Sequence, residues 1–103
     1  MQEVDLVKAG RISSLNDEYR KSRQGFMVTR GVSALPNIAN VLSMVQDFNE
    51  FDLDNDPYSE HDFGSFEVDG RKYFWKFDYY DDDYRMLRED GNRILTIGRL
   101  DEY

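Results

Sequence analysis

The chain has 103 residues, which is enough for one domain around one hydrophobic core and leaves no room for separate nucleotide-binding and substrate domains. Its 40% hydrophobic and 15% aromatic residues favour a folded chain, since disordered chains lack aromatic residues at this density. The net charge of −8 disfavours direct binding to nucleic acid or to an anionic membrane, and the lack of cysteine excludes disulfides, zinc-thiolate sites and thiol nucleophiles.

The N-terminal part of the chain predicts a helix followed by a strand. Residues 4–22 carry apolar side chains at approximately helical spacing, and because Gly10 interrupts them we expect the regular helix to start near Arg11. The pair Gln24-Gly25 is expected to end this helix. Residues 26–32 are rich in β-branched and aromatic residues and therefore predict a strand.

A second helix and a long loop follow. Pro36 suits the first turn of a helix, and apolar residues recur at helical spacing from Ile38 onward, so this helix is expected to run to Asn49 or Phe51. Residues 52–62 predict a loop, because they contain an Asn-Asp-Pro turn signal.

The strongest local signal in the chain is Asp69-Gly70, which is typical of a type I′ turn between strands at 64–68 and 71–80. Pairing outward from this turn sets Val68 against Arg71 and Gly64 against Trp75, where the glycine leaves room for the indole. The face predicted to enter the core carries Phe66, Val68, Tyr73, Trp75, Phe77 and Tyr79. The opposite face is mostly polar, and its exceptions, Phe74 and Tyr80, are expected to contact a partner or a covering segment.

Residues 81–92 predict a second acidic loop, and residues 93–100 predict the last strand. The element order is therefore α-β-α-β-β-β in a single domain over residues 1–103. This order predicts the α+β class, with two helices packed on a mainly antiparallel four-stranded sheet.

Acidic residues concentrate in the second half of the chain. Residues 1–45 hold six basic and four acidic residues, including a small basic cluster of Arg20, Lys21 and Arg23, whereas residues 46–103 hold seven basic and seventeen acidic residues. We call residues 47–62 the acidic segment, because it holds seven acids and no Lys or Arg. Charges this dense persist when they are solvated, paired with bases, bound to a cation or facing a basic partner. The candidate partner-binding residues are Asp47, Glu50, Asp52, Asp54, Asp56, Glu60, Asp62, Asp81, Asp82 and Asp83.

The single histidine lies in Glu60-His61-Asp62, where neighbouring carboxylates could orient it as a general base. No serine elbow, cysteine or second histidine accompanies it, so a structural histidine that bonds a loop carbonyl or carboxylate is the alternative. Asp52-x-Asp54-x-Asp56 matches the start of a calcium loop, but Pro57 and Phe63 stand where that loop has glycine and glutamate. We therefore expect no catalytic residue, no bound metal and no cofactor.

Residues 55–66 read Asn-Asp-Pro-Tyr-Ser-Glu-His-Asp-Phe-Gly-Ser-Phe, and residues 74–81 read Phe-Trp-Lys-Phe-Asp-Tyr-Tyr-Asp. With residues 11–17 and 94–97, these blocks resemble a bacterial family of small domains of unknown function with the motif Asn-Asp-Pro-x-x-Glu-His-Asp-Phe-Gly-Ser-Phe. That family is mainly proteobacterial and is often carried on plasmids and other mobile DNA. The resemblance implies no established activity, residues 82–92 depart from it, and the mobile-DNA association favours an inhibitor of host defence by analogy.

Three functional hypotheses follow. The first is a non-enzymatic protein that docks its acids on a basic surface of a nucleic-acid-binding protein, with an anti-CRISPR or anti-restriction inhibitor as the concrete case. The second is a metal-dependent module or hydrolase-like site around Glu60-His61-Asp62, and the third is a housekeeping interaction domain whose acids keep it soluble. We rank the first highest and leave the oligomeric state open. We also expect a cytoplasmic protein, because the N-terminal residues lack the basic and then apolar pattern of a signal peptide and no apolar stretch approaches about 20 residues.

Overall fold

The protein folds as a four-stranded mixed sheet with helices on one face. The computed structural model describes residues 6–22, 25–52, 54–57, 59–80 and 92–103. The elements in chain order are α1 (Leu6–Ser22), β1 (Phe26–Val28), α2 (Arg30–Ser33), α3 (Ile38–Gln46), β2 (Phe63–Val68), β3 (Arg71–Tyr80), β4 (Asn92–Arg99) and a 3₁₀ turn (Leu100–Glu102). The strand order is β1-β4-β3-β2, with β1 parallel to β4 and the other two pairs antiparallel. The predicted α+β class is confirmed, although the sheet is mixed and a third helix, α2, was not predicted. No helix within these ranges is long and apolar enough to cross a membrane.

The β2–β3 hairpin forms in the predicted register. Asp69 and Gly70 have φ angles of 52° and 78°, the positive values that a type I′ turn needs at both central residues. Val68 pairs with Arg71 and Gly64 pairs with Trp75, as expected. A Cβ at Gly64 would overlap the indole nitrogen of Trp75, which confirms that glycine makes room for this ring.

The core lies between the helices and the sheet face that carries Trp75. It consists of Val32 from α2, Val41 and Val45 from α3, Phe48 after α3, Tyr73, Trp75 and Phe77 from β3, and Leu95 and Ile97 from β4. The predicted residues Phe66, Val68 and Tyr79 pack against this cluster while remaining partly exposed. The predicted inner face of the hairpin is therefore confirmed.

The first strand is shorter than predicted. β1 ends at Val28 because the Thr29 hydroxyl accepts the backbone N–H of Val32 at 3.4 Å and caps the short helix α2. The predicted strand at 26–32 was wrong beyond Val28, since a capping threonine offers the backbone a helical alternative to strand pairing.

The first helix is continuous through Gly10, so the expected start near Arg11 was wrong. Between Gly10 and Ser22 of α1, the most deeply buried side chains are Ile12, Asn16 and Arg20, which succeed one another at four-residue intervals along one face. Two of these three residues are polar, which an apolar-periodicity argument does not anticipate. Predictions for residues 4–5 and for Gln24 concern positions outside the described residues.

The outer face of the sheet is covered at Phe74 by the C-terminal residue. The Tyr103 ring stands edge-on to Phe74 with centroids 4.9 Å apart, and Phe74 is only 3% exposed. The predicted covering contact of Phe74 is therefore made by this chain itself. The matching prediction for the Tyr80 side chain, and the predicted loop over residues 81–91, fall outside the described part; Asn92, predicted as loop, begins β4.

Candidate functional site

The acidic segment begins where α3 ends, and Arg20 from α1 determines that end. Arg20 is 1% exposed, and its Nη1 donates to the carbonyl oxygens of Val45 at 3.0 Å, Gln46 at 3.3 Å and Phe48 at 2.6 Å. Its guanidinium also lies 5.1 Å from the ring centroid of Trp75. A cation at this position stabilises the negative end of the helix dipole and pairs carbonyl groups that the helix leaves free.

Arg20 explains two departures from the predictions. The helix α3 stops at Gln46, short of Asn49 or Phe51, because the chain turns at Asp47 and directs its carbonyls to the guanidinium. Arg20 was also grouped with Lys21 in a basic cluster, whereas the structure buries Arg20 and leaves Lys21 exposed. The third member of that cluster, residue 23, lies outside the described residues.

His61 links α1 to the distal part of the acidic segment. Its Nδ1 lies 3.0 and 3.1 Å from the two carboxylate oxygens of Asp17, and its Nε2 lies 3.5 Å from Oδ2 of Asp56. The imidazole stacks on Phe51, with ring centroids 3.8 Å apart and planes 2° from parallel. Asp17 also accepts a 2.9 Å hydrogen bond from Nη2 of Arg20, so one carboxylate contacts both the Arg20 and the His61 side chains.

Asp56 is an internal structural residue. It is 6% exposed, and its Oδ1 accepts the backbone N–H groups of Glu60 at 3.1 Å and His61 at 3.0 Å. These bonds support Ser59 and His61 in left-handed backbone conformations, with φ angles of 56° and 54° that non-glycine residues adopt at a cost. Asp56 was predicted to bind a partner, and in the structure its carboxylate bonds to groups of this chain.

Asn16 secures the end of the segment next to β2. Its Nδ2 donates to the carbonyl oxygen of Glu60 at 3.0 Å and to the hydroxyl of Tyr79 at 2.9 Å. Burial raises the pKa of Tyr79 well above its ordinary value, and the hydrogen bond from Asn16 opposes this shift only in part. The neutral Tyr79 hydroxyl is therefore a dependable acceptor for Asn16 throughout the physiological range.

Four acids of the segment remain available to a partner. Asp47, Glu50, Asp52 and Asp54 are all exposed, and no ion pair in the part of the chain that the structure describes involves them. Glu60 and Asp62 are half-buried, and both interact with other groups. The predicted partner-binding residues Asp81, Asp82 and Asp83 lie outside the described residues.

Hydrogen bonds between side chains and backbone connect Glu50, Asp52, Asp54 and Asn55. Oδ1 of Asp52 accepts the N–H groups of Asp54 at 2.9 Å and Asn55 at 3.0 Å. The Asn55 side chain in turn accepts the N–H of Asp52 at 3.0 Å and donates to the carbonyl of Glu50 at 2.8 Å. The carboxylates of this turn are therefore presented from an ordered backbone.

Two open grooves flank the stacked rings of Phe51 and His61. One has a volume of about 460 Å³ and includes Asp17 and Asp47 in its lining, and the other has a volume of about 300 Å³ and includes Asp52 in its lining. Both imidazole nitrogens of His61 face carboxylates, whereas a catalytic histidine needs one nitrogen directed at a nucleophile. This arrangement favours a structural role for His61. Within the described ranges, no group of three or more His, Asp or Glu side chains is placed to hold a metal ion.

Comparison with protein families gives a match over residues 28–100 to a family described as a protein of unknown function, DUF3768. The chain belongs to this family. The matched region contains Phe51, Asp56 and His61, whereas Asp17 and Arg20 lie before it. Membership in a family of unknown function was predicted and is confirmed, while the motif and the bacterial, mobile-DNA origin remain predictions. Comparison with curated proteins and with solved structures gave no match.

Proposed function

We propose that this DUF3768 protein is a non-enzymatic binding domain whose acidic segment docks on a basic surface of a nucleic-acid-binding protein. The observation that carries the proposal is the group of four exposed carboxylates, at Asp47, Glu50, Asp52 and Asp54, for which the described structure provides no ion pair. Such carboxylates attract a basic surface over a long range and speed its association.

The anchoring of the segment supports binding more than mere solubility. Arg20 donates to the carbonyl of Phe48 near the start of the segment, and the Asp52 side chain accepts the N–H of Asn55 in its middle. The Asp56 side chain accepts the N–H of His61 just before β2. A surface that is already ordered loses less conformational entropy on binding than a mobile acidic tail does. A solubilising acidic stretch needs no such order, since solvated charges act in any conformation.

The more specific form of the proposal is an anti-CRISPR or anti-restriction inhibitor carried on mobile DNA. A nuclease surface that binds phosphates is basic over an extended area, and ordered carboxylates can occupy it in place of the phosphates. In this form the protein and the nucleic acid compete for one surface, so preloading the nuclease with its nucleic acid blocks binding. The support for it is the sequence resemblance described above together with the exposed carboxylates.

The test compares two double variants that remove the same charge. Glu50→Gln with Asp54→Asn removes two of the seven charges of the acidic segment without removing a carboxylate that bonds to the backbone. Glu18→Gln with Glu67→Gln neutralises two exposed acids elsewhere. Binding to a panel of purified restriction and RNA-guided nucleases, free and loaded with nucleic acid, is measured by calorimetry at low and high salt.

For a nuclease that binds the unaltered protein, we expect the first double variant to weaken binding about tenfold, which corresponds to about 1.4 kcal/mol of binding free energy. We expect the control variant to weaken binding less than twofold. High salt is also expected to weaken binding. Equal effects of the two variants, salt-independent binding, or equal binding to loaded nuclease would each refute the proposal. Binding to no nuclease in the panel would refute its inhibitor form.

A metal-dependent or hydrolase-like site at His61 is the second candidate. The observation that favours it is the pair of open grooves that flank the His61 imidazole and the Phe51 ring. Thermal melting with Ca²⁺, Mg²⁺, Mn²⁺ and Zn²⁺ separates the two proposals. A rise in melting temperature that His61→Gln abolishes while the fold is kept would favour this candidate, and unchanged melting with every ion would count against its metal-dependent form.

A further inference from the structure

A basic pocket lies near the N-terminal end of α3, whereas the acidic segment starts at the C-terminal end of the same helix. The pocket has a volume of about 490 Å³, and the described residues that line it are Arg71, Lys72, Arg99, Leu100 and Asp101. Three of these five residues are cationic although the chain as a whole carries a net charge of −8.

The hairpin turn connects the pocket to the start of α3. Nδ2 of Asn37, which precedes the first turn of α3, donates to Oδ2 of Asp69 at 3.2 Å. Asp69 is separated from Arg71 by one residue, so the hairpin turn places the pocket at this end of the helix. The pocket and the acidic segment are therefore separate sites.

The sheet register places the two arginines of the pocket, Arg71 and Arg99, close together. Arg99 of β4 pairs with Tyr73 of β3, so Arg71 is its diagonal neighbour on the same face of the sheet. Diagonal neighbours have Cβ atoms about 7–8 Å apart. Two guanidinium groups that extend from such positions can donate to the same tetrahedral anion, and the planar fork of each guanidinium suits the oxygens of a phosphate.

One wall of the pocket is held by the C-terminal 3₁₀ turn. Nη2 of Arg99 forms a 2.7 Å ion pair with Oδ2 of Asp101, and the backbone N–H of Arg99 donates to Oε1 of Glu102 at 2.8 Å. Glu102 is itself anchored, since Oε1 accepts the Thr29 hydroxyl at 2.7 Å and Oε2 accepts the Gly31 N–H at 3.1 Å. Arg99 is thus oriented before any ligand arrives, which reduces the entropy lost on binding.

The other two cations carry no counter-charge. Arg71 and Lys72 are exposed, and neither takes part in an ion pair within the part of the chain that the structure describes. Leu100 is 39% exposed beside them and offers an apolar contact. The pocket therefore combines one guanidinium that is paired with Asp101, two unpaired cations and an apolar wall.

We propose that this pocket binds a phosphate-bearing small molecule, with Arg71 and Arg99 donating to the phosphate and Leu100 contacting the apolar part of the ligand. The pocket volume falls within the range of about 300–1,000 Å³ that small-molecule sites occupy. A nucleic acid is a poorer occupant, because its phosphates beyond the pocket would meet a chain of net charge −8.

The experiment titrates the full chain with ADP, with inorganic phosphate and with a short single-stranded oligonucleotide, and follows backbone amide chemical shifts. The unaltered protein is compared with Arg71→Gln and with Lys72→Gln, a second variant that preserves a test if the first does not fold. Arg11→Gln is the matched control, because Arg11 is an exposed arginine on α1 and does not line the pocket.

We expect ADP, or inorganic phosphate alone, to shift the amides of Lys72, Leu100 and Asp101. The Arg71→Gln substitution should weaken this binding about tenfold, as the loss of one charge-assisted hydrogen bond does, while Arg11→Gln leaves it within twofold. ADP binding without phosphate binding would mean that the apolar contact is needed as well. No shift with either ligand at millimolar concentration, or equal weakening by Arg71→Gln and Arg11→Gln, would overturn the proposal. Tighter binding of the oligonucleotide through the same amides would replace the small molecule by nucleic acid.

Discussion

Replacing Arg20 by methionine tests whether this one buried cation holds the junction between α1, α3 and the acidic segment. Methionine has a helix propensity close to that of arginine and an unbranched chain that fills similar space, so the change isolates the guanidinium. Arg11→Met is the matched control, because Arg11 is exposed on the same helix.

The expected loss of unfolding free energy follows from the hydrogen-bond acceptors that would lose the Arg20 guanidinium as a donor. The carbonyl of Phe48 loses its buried 2.6 Å bond, and an unpaired buried acceptor costs about 1–3 kcal/mol. The carbonyl of Val45 keeps backbone N–H donors, and the carbonyl of Gln46 is only partly buried. Their loss of Arg20 therefore costs less free energy than the loss at Phe48. Asp17 is 28% exposed and keeps His61 as a partner, so the loss of its ion pair adds about 1 kcal/mol or less. The expected total is about 2–4 kcal/mol, a large part of the roughly 5–15 kcal/mol that stabilises a domain.

The free energy of unfolding is measured by urea denaturation, with far-UV circular dichroism as the signal. We expect Arg11→Met to stay within about 0.5 kcal/mol of the unaltered protein, as exposed substitutions do. Hydrogen exchange should also show faster exchange in the first residues after α3 in Arg20→Met. A loss below about 1 kcal/mol for Arg20→Met, with unchanged exchange after α3, would mean that packing alone positions the acidic segment and would refute the reasoning.

Three further predictions concern the sheet and the C-terminal turn. Gly64→Ala should lower the free energy of unfolding by about 1–3 kcal/mol, because the new methyl group overlaps Trp75; an unchanged urea midpoint would show that the ring can move aside. Hydrogen bonds, chiefly the one from Thr29, hold the pKa of Glu102 below its ordinary value. The ionised Glu102 therefore stabilises the fold above the unfolded pKa, and this stabilisation is lost as the pH falls through the folded pKa. Glu102→Gln should remove this acid-dependent loss, which is measured as the difference between the melting temperatures near neutral and at acidic pH. Tyr103→Ala should uncover Phe74 and cost about 0.5–1.5 kcal/mol beyond the lost apolar contact, and thermal melting equal to that of the unaltered protein would contradict this.

The sequence by itself determined the elements whose signals are local. Asp69-Gly70 specifies a turn with two positive φ angles, and the alternation on each side of it then assigns every hairpin residue to a face. The clustering of acids in residues 47–62 likewise favoured exposed carboxylates, since charges without neighbouring bases stay in water, and Asp47, Glu50, Asp52 and Asp54 are exposed. In these cases the deciding interaction spans only a few residues.

Only the tertiary structure decided which polar residues are buried. Arg20 and Asn16 occupy the inner face of α1 because their partners lie 25 to 63 residues further along the chain. Asp56 reads as one more surface acid, yet its carboxylate supports the backbone that carries His61, whose ring in turn meets Asp17 across 44 residues. Burying such groups is favourable only when donors and acceptors from distant segments come within hydrogen-bonding distance. Sequence periodicity and local motifs do not predict which distant groups will pair in this way.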